Sequence, residues 1–109
     1  MRRGDVFTAA THGPYTGKPR LVVIVQDDRF DATASVTVCP LTTHHVDAPL
    51  TRLPMEATEM NGLEQPSSLM IDKVTTMPRA SLQDRLGRLP EADLVRLNRA
   101  LLVFLGLAG

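Results

Sequence analysis

Leu21-Val22-Val23-Ile24-Val25 is the segment that most narrows what this chain can become. Five apolar residues in a row, four of them β-branched, suit a pleated strand better than a helix. The run is too short for a helix of normal length. Having no polar alternation, it implies a strand covered on both faces. The chain must therefore wrap a small sheet around this segment. Other short extended runs can supply it. Arg3 to Ala9 reads as a first strand, with Val6 and Phe7 as its apolar members. Ser35 to Cys39 reads as a strand stopped by Pro40, because proline removes a ladder donor. Leu50 to Leu53 is a shorter candidate, and Ser68 to Thr76 reads as one further strand.

Between these runs lie turns. Thr11 to Pro19 holds two glycines and two prolines and reads as a loop, long for a hairpin and hence a candidate functional segment. Gln26 to Ala34 is polar. Glu56 to Ser68, with Asn61-Gly62 and Pro66, reads as a connection. The stretch Ser81 to Leu89 pairs a Ser81/Asp84 capping pattern with leucines at helical spacing, so locally it predicts a helical turn. A helix is predicted from Pro90: Glu91 and Asp93 complement the dipole, Gly106 suits the stop, and Leu94, Leu97, Leu101 and Leu105 form an apolar stripe. Short strands followed by one terminal helix describe a mainly β (α+β) fold, a small barrel with a helix packed on it.

With 109 residues, one domain spanning 1–109 is expected. Cys39 is the sole cysteine, which excludes an intrachain disulfide; within Val36-Thr37-Val38-Cys39-Pro40 it reads as a buried small hydrophobe. No secretory leader is recognisable after Met1-Arg2-Arg3, and no apolar run is long enough for a bilayer, so a cytoplasmic protein is expected. Twelve basic and twelve acidic residues cancel, which argues against indiscriminate nucleic-acid binding. Residues 1–30 nevertheless carry five basic against three acidic groups, and residues 31–60 one against four. Any cationic groove would thus be built early in the chain.

His44-His45 invites a metal reading, but adjacent residues of an extended chain point to opposite faces, and His12 adds one nitrogen only. No metal site and no cofactor are expected. His44 remains a candidate proton carrier. Arg20 stands where the long loop meets the buried strand, a placement suited to presenting a guanidinium to a phosphate. Thr42 offers a hydroxyl just past the next strand. Tyr15 is an aromatic in the loop that could stack on a base, as aromatic side chains do in single-strand binders. Lys18, Lys73 and Arg79 are candidate phosphate contacts. Each of these residues also has a plainer reading, as a strand-end charge, turn hydroxyl or surface group.

Taken in order, the motifs resemble the MazF/PemK toxins. Arg3-Gly4-Asp5-Val6-Phe7 is similar to that family's opening strand. Gly17-Lys18-Pro19-Arg20-Leu21-Val22-Val23-Ile24 is similar to its "K-x-R-P-x-V-x-I" entry, and Val38-Cys39-Pro40-Leu41-Thr42-Thr43 to its "V-x-P-x-T" turn. Leu69-Met70-Ile71-Asp72-Lys73-Val74-Thr75-Thr76 resembles a further strand motif. Arg79, Leu82, Gly87 and Leu89 resemble the close. The chain departs from the pattern at Leu21, where the family has proline, in lacking a glutamate in the first long loop, and at Met70, where one branch has arginine. The resemblance implies an SH3-like barrel in which Ser81 to Leu89 is largely strand. It implies a homodimeric endoribonuclease that cuts single-stranded RNA without a metal and is held in check by a cognate antitoxin. It places Arg20 and Thr42 in the catalytic role and, through one branch, Asp72 in the RNA site, while Tyr15, Lys18, Thr43, His44, Lys73 and Arg79 are the further candidate RNA contacts. Two other functions remain open on sequence: a gyrase poison like CcdB, which shares barrel and dimer, and a non-catalytic SH3-like binding module.

Overall fold

A computed structural model describes residues 1–10 and 19–108. The elements are β1 (Asp5–Ala9), β2 (Arg20–Ile24), β3 (Ser35–Thr42), β4 (Arg52–Met55), β5 (Ser67–Met70), β6 (Thr75–Pro78), β7 (Leu82–Arg88) and α1 (Glu91–Phe104). Three short 3-10 turns lie at Asp28–Phe30, Ile71–Lys73 and Arg79–Ser81. All pairings are antiparallel. The strands run β4-β5-β3-β2-β1-β7, with β6 also beside β3. The terminal strands of this path, β4 and β7, do not pair with each other, so the hydrogen-bonded ring of a closed barrel is absent among the described residues.

The β-branched run behaves as its composition requires. Val22 and Ile24 enter one apolar cluster with Ala9, Val36 and Val38, while Val23 enters the other with Val6, Cys39, Leu41, Leu69, Ile71 and Leu89. Side chains alternate across a strand, so burial of both sets means that both faces of β2 are covered. The larger cluster also takes up Leu94 and Leu97 of α1. Further along the helix the stripe leaves the core: Leu101 is half-buried and Leu105 is 59% exposed.

Four expectations change, the first being the strand expected from Leu50 to Leu53, which instead runs Arg52–Met55 after a turn at 49–51. Pro40 does not stop β3, which continues to Thr42. Thr37 turns its N–H and carbonyl towards the β2 side, accepting from Val25 N and donating to Gln26 Oε1. By alternation, the ring nitrogen of Pro40 faces the opposite flank, where β3 changes neighbour from β6 to β5. The missing donor falls at that seam and costs no ladder bond. The strand expected from Ser68 to Thr76 is two strands, because the Ile71–Lys73 turn slips the register against β3 between β5 and β6. The helical turn suggested locally for Ser81 to Leu89 is instead the strand β7, paired along β1. Nine residues of leucine spacing do not outweigh an available sheet edge.

Gly87 shows what holds β7 in place. It is buried against the 56–66 loop, and Arg88 N donates to Met60 O at 2.8 Å. A Cβ on Gly87 would lie 2.3 Å from Met60 O, and one on Gly62 would lie 2.2 Å from Leu86 O. Gly62 also has φ +71°, the left-handed region that glycine tolerates. Gly87→Ala is therefore expected to lower unfolding free energy by about 3 kcal/mol, the upper range for forced overpacking. Urea denaturation measures this; a shift within the roughly 0.5 kcal/mol of an ordinary surface change would show that the seam yields freely.

Candidate active site

The pairing of β1, β2 and β3 carries Arg20 to the end of the sheet. Ala9 is opposite Arg20 on one side, and Val22 is opposite Pro40 on the other. Continuing the same register two residues sets Arg20 opposite Thr42, and cross-strand partners share a face. Both line a cleft of about 550 Å³, together with Pro19 and with Thr8, Thr43, Glu64, Gln65 and Ser67 on its polar surface. Leu21, Leu41 and Leu86 contribute apolar wall. Arg20 is exposed and joins none of the ion pairs among the described residues. Its guanidinium is thus available to an anion.

Thr42 is half-buried, and its Oγ1 accepts a hydrogen bond from His44 N at 3.1 Å. That contact fills one lone pair and leaves the hydroxyl hydrogen to be donated. An arginine and an oriented hydroxyl side by side make a pair of donors suited to the non-bridging oxygens of a phosphodiester.

The other residues singled out from sequence are distributed unevenly. Thr43 lines the cleft, and exposed His44 adjoins it through Thr42. Tyr15, Lys18 and His12 lie outside the described residues. Asp72 accepts a hydrogen bond from Arg52, which also donates to Thr51 O at 2.9 Å. Asp72 and Lys73 belong to the 3-10 turn between β5 and β6, and neither lines the cleft. Arg79 donates through Nε to Thr33 O at 2.8 Å and through Nη1 to Met1 Sδ at 3.5 Å, with Nη2 buried. It too stands apart from the cleft. Thr8, Glu64, Gln65 and Ser67 were not singled out from sequence. They sit on separate elements, and no local pattern marks a residue that becomes a neighbour only through strand pairing.

Among the described residues, no group of three or more His, Cys, Asp and Glu side chains is placed to hold a metal ion. Cys39 is buried in the larger core cluster, as expected. Burial, and after it the negative charge of Asp72, pushes its thiol up to about 12. A thiol so held stays protonated and is no nucleophile at neutral pH.

Curved antiparallel sheet, terminal helix and an arginine–threonine pair at the sheet's end define a class. Residues 2–105 match the family described as PemK-like, MazF-like toxin of type II toxin-antitoxin system, and the chain belongs to that family. It is 68% identical, over the whole of both chains, to a protein of Mycolicibacterium smegmatis named probable endoribonuclease MazF. Among solved structures it is similar to the Mycobacterium tuberculosis toxin MazF-mt6, with a TM-score of 0.80 and 27% identity over 94% of this chain and 97% of that one. It is equally similar, at a TM-score of 0.80 and 27% identity, to an endoribonuclease in complex with its cognate antitoxin from a mycobacterial species. That match covers 98% of this chain and 96% of the other.

The state of Cys39 has a direct check. In mildly alkaline buffer the folded protein should leave a thiol-reactive dye unreacted, and denaturant should release one equivalent of reaction per chain. Rapid labelling of the native protein would place Cys39 at an accessible, activated position instead.

Proposed function

We propose that this chain is an endoribonuclease toxin that cuts single-stranded RNA through the substrate's own 2′-hydroxyl and is neutralised by a cognate antitoxin. The observation that carries the reading is the juxtaposition of Arg20 and Thr42 across the end of β2 and β3, in a cleft open to a polymer. The family and the names of its similar members support the same class of activity.

In this reaction O2′ attacks the adjacent phosphorus, and the bond from phosphorus to O5′ breaks. The products are a 2′,3′-cyclic phosphate and a 5′-hydroxyl. Negative charge accumulates on the non-bridging oxygens as the phosphorane forms. Arg20 supplies a planar fork to two of those oxygens, and Thr42 supplies one neutral donor. Thr43, and by proximity His44, border the path of the strand; of the segment preceding Arg20, Lys18 is proposed to contact phosphate and Tyr15 to stack on a base. Asp72, Lys73 and Arg79 would meet RNA only where it extends past the cleft. The chain acts as one domain and pairs as a homodimer. Its antitoxin would present a flexible acidic segment to Arg20, folding as it binds.

The test is cleavage of RNA by pure protein in EDTA, with the ends mapped. Cyclic phosphate and 5′-hydroxyl ends are expected; 5′-phosphate ends would mean attack by water and overturn the mechanism. Arg20→Ala should reduce cleavage by about two to three decades, the scale of one lost transition-state donor. Arg20→Lys should recover little, since an ammonium cannot bridge two oxygens in a plane. Thr42→Val should cost less than Arg20→Ala, and Thr42→Ser should be tolerated. A folded Arg20→Ala protein that cuts at the parent's rate would refute the site.

A further inference from the structure

Part of the cleft's lining is a loop whose backbone is fastened by a buried asparagine. Asn61 is fully buried between β4 and β5. Its Oδ1 accepts from Thr58 N and Leu63 N, both at 3.0 Å; its Nδ2 donates to Glu56 O at 2.8 Å; and its own N–H donates to Thr58 Oγ1 at 3.1 Å. A buried polar side chain satisfied on both oxygen and nitrogen rigidifies the backbone it holds. Gly62 and Gly87 let this loop and β7 approach more closely than any Cβ would allow. Leu63 is sunk in the larger core cluster, and Ser67 starts β5.

Between these two fixed points Glu64 and Gln65 are exposed, and both line the cleft. Glu64 is the sole carboxylate, as Arg20 is the sole cation, among the described residues lining it. Glu64 joins no ion pair among the described residues. A carboxylate in the same cleft as the arginine proposed to bind phosphate repels the substrate's charge. Holding it there on a rigid support makes chemical sense if it accepts a hydrogen from the substrate. Among the described residues, the rest of the polar lining cannot do so at neutral pH. Gln65 is a neutral amide, and the Thr8, Thr42, Thr43 and Ser67 hydroxyls are poor proton acceptors.

We propose that Glu64 is the group that takes the proton of the RNA 2′-hydroxyl in this cleft. The inference rests on the ribonuclease reading above. As O2′ bonds to phosphorus, its proton passes to a Glu64 carboxylate oxygen. The bond from phosphorus to O5′ breaks, and O5′ leaves with a proton from solvent water. Glu64 then returns its proton to water. Arg20 and Thr42 stabilise the phosphorane oxygens, so the base and the donors come from different elements lining one cleft.

The experiment measures single-turnover cleavage of an RNA oligonucleotide by the full chain and its Glu64→Gln and Glu64→Ala variants. In parallel, it measures binding of the same strand carrying a 2′-deoxy nucleotide at the scissile position. Glu64→Gln should slow cleavage by about 100-fold or more, the scale of a lost general base, with binding of the deoxy strand unchanged or tighter. Added formate should restore part of the activity of Glu64→Ala by entering the space left. The proposal is overturned if Glu64→Gln cuts at the parental rate, or if weaker binding accounts for the whole loss. A change in the sequence that is cut, at undiminished rate, also overturns it and makes Glu64 a reader of a nucleobase. If the parent protein itself leaves RNA intact, the ribonuclease reading fails instead, which Arg20→Ala and Glu64→Gln then cannot distinguish from the parent.

Discussion

Burial of β2 on both faces is the constraint from which the rest of this molecule follows. Each of its core residues has a partner on either side: Val22 meets Phe7 and Pro40, and Val23 meets Val6 and Cys39. A slip of one residue would exchange the two sets of side chains between clusters of different size and composition. Register is therefore strongly specified, and the position of Arg20 is specified with it. Its guanidinium needs no anchoring contact of its own, because the strand behind it cannot shift without unpacking two cores. An exposed side chain at a strand end is thus placed accurately by apolar packing several residues away.

A second fastening joins the parts of the chain most distant in sequence. Asp5 is buried at the start of β1, where Arg2 N donates to it at 2.8 Å and Arg85 Nη2 lies 3.2 Å away. Arg88 Nη1 stands 3.6 Å from the same carboxylate and donates to Arg3 O at 3.1 Å. A carboxylate removed from water needs such partners. Here they tie β7 to β1 across the sheet edge. Next to this tie, the glycine contacts bring the 56–66 loop against β7. The cleft is bounded on one side by the β2 and β3 ends and on the other by this loop. Its two walls are thus set by independent means, one by apolar burial and one by backbone close approach.

Electrostatics are local rather than global. The chain is formally neutral, and several of its arginines are occupied within the protein: Arg52 by Asp72, Arg85 and Arg88 by Asp5, Arg96 by Asp93. Arg20 differs from these in lining a cleft without an acidic partner in ion-pair range among the described residues. An exposed cation so placed, with Leu21 and Leu41 in the same cleft, can meet an anion without first breaking an ion pair among the described residues. Part of the early basic excess is taken up by surface ion pairs. Arg2 and Arg29 face Asp28 and Asp27 at the surface, where such pairs contribute little.

Periodicity and punctuation alone determined the mainly β character, the buried β2, the buried Cys39 and the terminal helix, since each depends on contacts between near neighbours in the chain. The order of short motifs added Arg20 and Thr42. What local pattern misjudged was decided by pairing partners: β3 passes through Pro40 because the missing donor falls at a seam, and Ser81 to Leu89 is strand because β1 offers an edge. The second wall of the cleft was equally illegible. Asn61-Gly62 announces a turn, but nothing within ten residues of Glu64 says that Arg20 will stand in the same cleft. That neighbourhood exists only once β7 has closed on β1 and carried Gly87 against the loop. Contacts between residues so far apart in the chain are decided by tertiary packing, because no local sequence signal encodes which distant backbone will come within reach.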